Sequence, residues 1–412
     1  MGFGNLTGKT AAVFLLCSPA IIYCVLINRY AYDFPFLDDY DTVLDHLLHP
    51  LNQQFFNWFA PHNEHIHWVL RAAASGDYLI FGSVNFVRLI WLGAGFLLIL
   101  YGLLLKWGRT AGVTWTCLLP LPFILFQPSY WGTMTWATTA LHNFPGIVFA
   151  LAAFILWQSP NQKNKAWATL FLASALFTHG FGIAACLSIL VWEILHKRIL
   201  QVTIPVSLIL FWVLLRINMP SASTPLSFAS PELFSSLHFF LNFLGASVHF
   251  LGTFGVILLG SSLLLACIWL FKKGLPKQAP TLCLFVLYLI LCAIVVTIAR
   301  ADMGPKQGLA SRYRIISTLL LCSVYLGFVQ VYWKQWINQT RVRYLILASA
   351  CLFYTASLYV NINNLQKIKT RLENDCNRWI LNEPIQEFPQ PIHAARILQE
   401  SEAASIFSPR QQ

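Results

Sequence analysis

The chain has 412 residues, of which 57% are hydrophobic and only 10% charged. A soluble domain carries about 25% charged residues, so these figures exclude an ordinary soluble fold. The net charge of +11 does not point to nucleic acid. The basic residues stand in short clusters between apolar runs of about 20 residues, the length that crosses a ~30 Å hydrocarbon core, and membrane lipid is the partner they imply.

In chain order, a first span is expected from Thr10 to Asn28, uncleaved, with the preceding residues in the cytoplasm. An acidic loop follows. Within it Val43, Leu47, Leu51, Phe55 and Phe59 recur at helical spacing, which predicts a helix lying in the membrane interface rather than crossing it. Pro50 should kink that helix near His49. Further spans are expected at Val84–Leu105, Ala111–Phe126 and Phe144–Trp157. The apolar run 166–195 is broken at Thr178-His179-Gly180 and reads as a hairpin of two short helices. Ile199–Leu215 gives a seventh span and the stretch after Leu233 an eighth, followed by Thr281–Ile298, a span after Arg314, and Tyr344–Val360. The prediction is an all-α polytopic membrane protein with about eleven spans. Residues 1–360 form the membrane domain, and 361–412 a short tail in which Leu365, Ile368, Leu372 and Trp379 suggest one amphipathic helix.

Topology follows from the charges. Thirteen Lys and Arg fall on the side assigned to the cytoplasm, eight on or near the opposite face and six in the tail, which sets the N-terminus inside. Fifteen of the sixteen acidic residues lie on the outer side, Glu193 being the exception. Acids do not set topology, so their bias reads as function. Nine of the ten cysteines lie in apolar runs and only Cys376 in a polar segment, which gives no disulfide framework.

Seven acids crowd the first outer loop: Asp33, Asp38, Asp39, Asp41, Asp45, Glu64 and Asp77. An aspartate at a helix start can serve as a cap, a role that cannot use all of Asp38, Asp39 and Asp41. Crowded carboxylates against a low-dielectric surface raise one pKa, which suits a general base. A divalent cation, Mg or Mn, held through oxygen ligands is the alternative use. His62-Asn63-Glu64-His65 is not the His-Glu-x-x-His of a zinc protease. Its polar groups suit binding sugar hydroxyls or ordering a carboxylate. Near the end of the chain, Arg300, Lys306, Arg312 and Arg314 place four cations on the outer side, against the topological trend. They suit either lipid headgroups or phosphate, for which arginine's fork is matched, and Gly304 and Gly308 would let backbone approach an anion. His142, His179, His238 and His249 read as polar core or interface residues.

An outward Asp-Asp after the first span, an interfacial helix, a His-Asn-Glu-His turn and Ser311-Arg312-Tyr313 opening a late span resemble bacterial polytopic glycosyltransferases of the GT-C fold. The resemblance implies an enzyme of the bacterial inner membrane that uses a polyprenyl-phosphate-linked sugar. Its acceptor is a cell-envelope glycan or lipid, and its site faces the extracytoplasmic side. It implies Asp38 or Asp39 as the base, Asp41, His62, Asn63, Glu64 and His65 lining the sugar site, and a cationic group steadying the leaving phosphate. With Arg300, Lys306, Arg312, Tyr313 and Arg314 these form the expected site. A lipid flippase or a non-catalytic subunit of a polysaccharide assembly are the rival classes. A transporter would show charges inside its spans and repeat symmetry.

Overall fold

A computed structural model describes residues 6–62, 65–218, 233–332, 339–386 and 389–409. The described residues are almost wholly helical, and their one sheet pairs two dipeptides. Seven helical stretches among them are long and apolar enough to cross a membrane: Ala12–Tyr30, Phe86–Thr110, Ala137–Trp157, Leu233–Lys272, Pro280–Met303, Ser311–Tyr332 and Thr340–Ile380. Phe181–Leu195 and Ile199–Leu215 are apolar but shorter. The third expected span, Ala111–Phe126, is instead a chain of short helical pieces, Trp115–Leu118 and Pro120–Leu125. Pro120 and Pro122 lack the N–H that would carry a helix through.

Helix α1 (Leu6–Tyr30) leads into the acidic loop. There a wide helical turn at Tyr40–Asp45 turns Tyr40, Val43 and Leu44 into the core. The expected break falls at His49, which is extended (ψ 149°) ahead of Pro50. Beyond it α2 (Leu51–Asn57) begins. The predicted apolar stripe therefore does not share one face. Val43 and Leu47 are buried, whereas Phe55 and Phe56 on α2 are 56% and 74% exposed, so only the second half presents an apolar face outward.

Two short strands, β1 (Pro61–His62) and β2 (His65–Ile66), pair antiparallel with His62 opposite His65. Then come α3 (Trp68–Phe81), α4 (Phe86–Thr110) and α5 (Ala137–Trp157). The hairpin expected at residue 179 is present: α6 (Gln162–Thr178) ends at an extended His179 and α7 (Phe181–Leu195) starts two residues on. Gly182 makes that reversal feasible, because a Cβ there would run into the backbone of Leu176. Next are α8 (Ile199–Asn218), α9 (Leu233–Gly245), α10 (Gly252–Lys272), α11 (Pro280–Arg300) and α12 (Arg314–Tyr332).

The last long helix, α13 (Thr340–Ile380), runs 41 residues without a break at 360, about 60 Å at 1.5 Å per residue. Past the apolar part, Leu365, Ile368 and Leu372 are buried, on the face their spacing predicted. The tail then folds back as α14 (Pro391–Ala403) against the Tyr40–Asp45 turn. It is fastened there. Val84 N–H donates to the Ile406 carbonyl at 2.8 Å, and the Phe407 ring meets those of Phe34 and Phe86 edge-on. The tail is thus part of the same body as the first loop.

Candidate functional site

The first loop, the tail, the start of α5, the α6–α7 turn and the 300–313 segment enclose one cleft of about 800 Å³. Asp38, Asp41 and Asp45 line it, as do His46, His49, His62, His65, His67, His142, His179, Arg71, Arg300, Arg312 and Tyr313. From the tail come Gln390, His393 and Arg396.

Asp38 and Asp39 have different roles despite adjacency. Leu37 sits in the left-handed region (φ 46°), where a bulky residue is rare and costs on the order of 1–3 kcal/mol, and so reverses the chain just before them. Asp39 is 1% exposed. One oxygen accepts from Phe36 N–H at 3.1 Å, and the other from the N–H (2.9 Å) and hydroxyl of Thr138. Those donors include an amide in the first turn of α5, left unpaired by helix geometry, so Asp39 caps a helix about 100 residues distant. It does not line the cleft. Burial pushes its carboxyl up to about 7 in spite of the Thr138 and Phe36 donors. Asp38 lines the cleft with a side chain 41% exposed, and the His62 Nε2 lies 4.0 Å from its Oδ1. Burial alone would raise this carboxyl, but His62, with Arg312 and His65 nearby, holds it below the usual carboxylate range. Asp38 is therefore the more acidic carboxyl and faces the cleft, whereas Asp39 caps a helix. Asp41 accepts from His393 Nε2 at 2.7 Å, which ties the tail to the loop.

Five imidazoles pack together at the centre. The His65 and His179 rings stack 4.5 Å apart and those of His67 and His142 5.3 Å apart. His62 stands 5.9 Å from His67. Two tautomers are fixed by backbone: Gly180 N–H donates to His65 Nδ1 at 3.1 Å and Phe181 N–H to His179 Nδ1 at 3.0 Å. In a neutral ring whose Nδ1 accepts in this way, the proton sits on Nε2. Both amides belong to the start of α7. Burial, with the neighbouring imidazoles and Arg71, pushes His67 well below the usual histidine range. The Arg71 guanidinium is buried and donates to the carbonyls of Asn57 (2.6 Å) and Ala60, closing the end of α2.

The late cationic loop also splits. Arg300 and Arg312 line the cleft, with Arg312 over the Tyr313 ring at 5.0 Å. Asn143 donates to the Arg312 carbonyl at 3.1 Å and fixes that segment against α5. Arg314 does not line the cleft; it donates to the carbonyls of Leu309 and Ser129, both at 2.9 Å. Lys306 is exposed outside it. The glycines do not cradle an anion in the way expected: Gly308 is pressed onto α9, where a Cβ would come 2.8 Å from the Phe239 carbonyl, and Gly304 (φ 92°) serves a turn.

Asn63 and Glu64 lie outside the described residues. Among those described, no group of three His, Cys, Asp or Glu is arranged to hold a metal ion. Asp39 is fully engaged with donors, Asp41 accepts from His393, and the stacked imidazoles present faces rather than lone pairs to one another. No step below runs through a divalent cation.

Several cleft residues were not singled out as site residues from sequence: His46, His67, Arg71 and the tail's His393. His142 and His179 were expected to be polar core, yet both line the cleft. Their signal was present, since a polar residue inside an apolar span is expensive and marks a pathway or site. No protein-family model, curated protein or solved structure matches the chain.

Proposed function

We propose that the chain is an integral-membrane glycosyltransferase of the GT-C type, transferring a sugar from a polyprenyl-phosphate donor to an envelope glycan or lipid acceptor. The reading has eleven spans with the N-terminus inside, in a bacterial inner membrane, and the cleft on the extracytoplasmic face. One observation carries it: a partly exposed carboxylate, Asp38, shares a cleft with Arg300 and Arg312 at one end of an apolar bundle.

In this reading the donor phosphate lies against Arg300 and Arg312, where a guanidinium makes two parallel N–H bonds to oxygen. The acceptor hydroxyl stands beside Asp38. Its proton passes to the Asp38 carboxylate as its oxygen forms a bond to the anomeric carbon. The bond from that carbon to the phosphate oxygen breaks, and the electron pair leaves on the polyprenyl phosphate, steadied by the two arginines. Attack opposite the leaving group inverts the anomeric centre. The Nε2–H of His179 suits a sugar hydroxyl. Asp38 takes the base's role because Asp39 already accepts three bonds and is shut off from the cleft.

The test is binding. Purified protein in nanodiscs should be thermally stabilised by one member of a panel of polyprenyl-phosphate sugars, and Arg312→Ala should abolish the shift. Stabilisation of wild type and variant alike would remove Arg312 from donor recognition and contradict the reading.

A further inference from the structure

A second hollow, of about 820 Å³, opens where the last two helices end. Both ends are built alike. Past α13, Asn382 takes the left-handed conformation (φ 60°), its N–H donates to the Trp379 carbonyl at 3.0 Å, and Glu383 N–H reaches back to the Arg378 carbonyl at 2.7 Å. Past α14, Ser405 (φ 56°) repeats the pattern, with its N–H on the Glu402 carbonyl at 3.0 Å and Ile406 N–H on that of Ser401 at 2.9 Å. Such a left-handed stop satisfies carbonyls that a helix end leaves unpaired and turns the chain aside. Trp379, Asn382 and Glu383 line the hollow from the end of α13, and Gln399, Glu402 and Ser408 from the tail. Trp379 is half-buried and packs against the core, which holds its ring in place.

The hollow is separate from the cleft. At about 100° per residue, Ala395, Gln399 and Glu402 share one face of α14 and line the hollow, whereas His393 and Arg396 share another and line the cleft. Lys369 donates to the Arg29 carbonyl, at the end of α1, at 2.9 Å. Trp379 stands about 15 Å farther along α13, away from the level at which the first span ends. We propose that this hollow is a saccharide-binding site, taking an uncharged sugar unit of a glycan. The C–H face of a sugar ring is weakly positive and suits the negative face of an indole. Sugar hydroxyls both donate and accept, as do the amides of Asn382 and Gln399 and the hydroxyl of Ser408, while the carboxylates of Glu383 and Glu402 accept. Two carboxylates beside two helix C-terminal ends disfavour a phosphate, so the donor lipid phosphate is not the ligand here. Assigning the sugar to the acceptor rests on the glycosyl-transfer reading, whereas the saccharide site does not.

The test presents the full chain in nanodiscs with a panel of uncharged, acidic and amine-bearing oligosaccharides that carry no lipid or phosphate. At least one uncharged member should bind. Gln399→Ala, at an exposed position, should keep the apparent Tm and weaken that binding about 3- to 10-fold, as for one neutral hydrogen bond. Trp379→Ala should weaken it by a similar factor, about 3- to 10-fold, through loss of the ring face. Ala395→Trp, which fills the hollow from α14, should abolish it. Three results overturn the proposal: no uncharged member binds, binding is confined to acidic or amine-bearing members, or Gln399→Ala and Ala395→Trp both keep wild-type affinity. The polyprenyl-phosphate panel tests the transfer reading separately. If no donor binds while an uncharged oligosaccharide does, that reading fails and the saccharide site stands.

Discussion

The first loop and the 300–314 segment carry the two charged clusters that stand out in the sequence, and the fold divides both. In the first loop Asp33, Asp39 and Asp77 bond to the starts of helices. Asp33 accepts from Phe86 N–H at 2.7 Å and from the Asn85 side chain, and Asp77 holds Arg88 through two bonds of 2.7 and 2.9 Å. Asp38, Asp41 and Asp45 line the cleft instead. In the later segment Arg314 is bonded to carbonyls, while Arg300 and Arg312 line the cleft. The regions differ in what fixes them. The first loop is fastened by carboxylates meeting unpaired helix-end amides, the second by close backbone packing at Gly308 and by Asn143. In an apolar bundle, the charges that match an orphan backbone group serve the fold, and the others named here line the cleft.

That division can be broken by exchanging the roles. The largest expected effect is on Asp38→Asn, which should slow sugar transfer by 10²–10⁴-fold, the usual worth of a general base, with little change in apparent Tm. Asp39→Asn should behave the other way. An amide nitrogen would face an N–H or hydroxyl donor at Phe36 or Thr138, costing about 1–3 kcal/mol, while the rate per folded molecule stays within a few-fold of wild type. A loss of rate confined to Asp39→Asn would reverse the assignment.

Next in size is the arginine contrast. Arg312→Ala or Arg300→Ala should weaken donor binding by about 10- to 150-fold, the worth of one charge-assisted bond. Arg312→Lys should lower the single-turnover rate more than binding, because lysine offers a point charge without the fork. Lys306→Ala should leave both unchanged, and Arg314→Ala should cost stability instead. Donor titrations and single-turnover rates on the four positions sharpen the comparison, and equal effects at Lys306 and Arg312 would dissolve it.

The helical class, the break at His49–Pro50 and the hairpin at His179 were legible because proline, an apolar period and a polar break act locally. The cluster of Asp38, His62, His65, Arg300 and Arg312 was legible as charge in an apolar chain. Less was visible where the cause is tertiary. Asp38 and Asp39 differ because Thr138 meets only one of them, and nothing in the local sequence says which. The cleft histidines at 46, 67, 142 and 179 come from four separate elements, and His393 comes from a tail expected to stand apart. The interfacial stripe failed for a similar reason: the break at Pro50 redirects its second half.

A smaller effect tests the buried acid through pH. Asp39 has a folded pKa of about 7 against an unfolded value of about 3.9, so the folded state holds a proton that the unfolded state has lost between those values. The stability this gives is present at low pH and is lost as pH rises toward and past 7. The asparagine of the Asp39→Asn variant cannot titrate. The apparent Tm of wild type relative to that variant should therefore fall between pH 5 and pH 8. A constant difference across that range would mean that Asp39 is ionised throughout.

The central claim is that Asp38 and the two cleft arginines transfer a sugar from a lipid phosphate. The most direct measurement supplies purified wild type and Asp38→Asn, in proteoliposomes, with labelled polyprenyl-phosphate sugars and an envelope lipid and glycan extract, and follows the label into acceptor. Wild type should consume one donor and build an inverted linkage, with Asp38→Asn at least about 100-fold slower. If no donor in the panel is consumed, or Asp38→Asn keeps a rate within about threefold of wild type, the claim is contradicted.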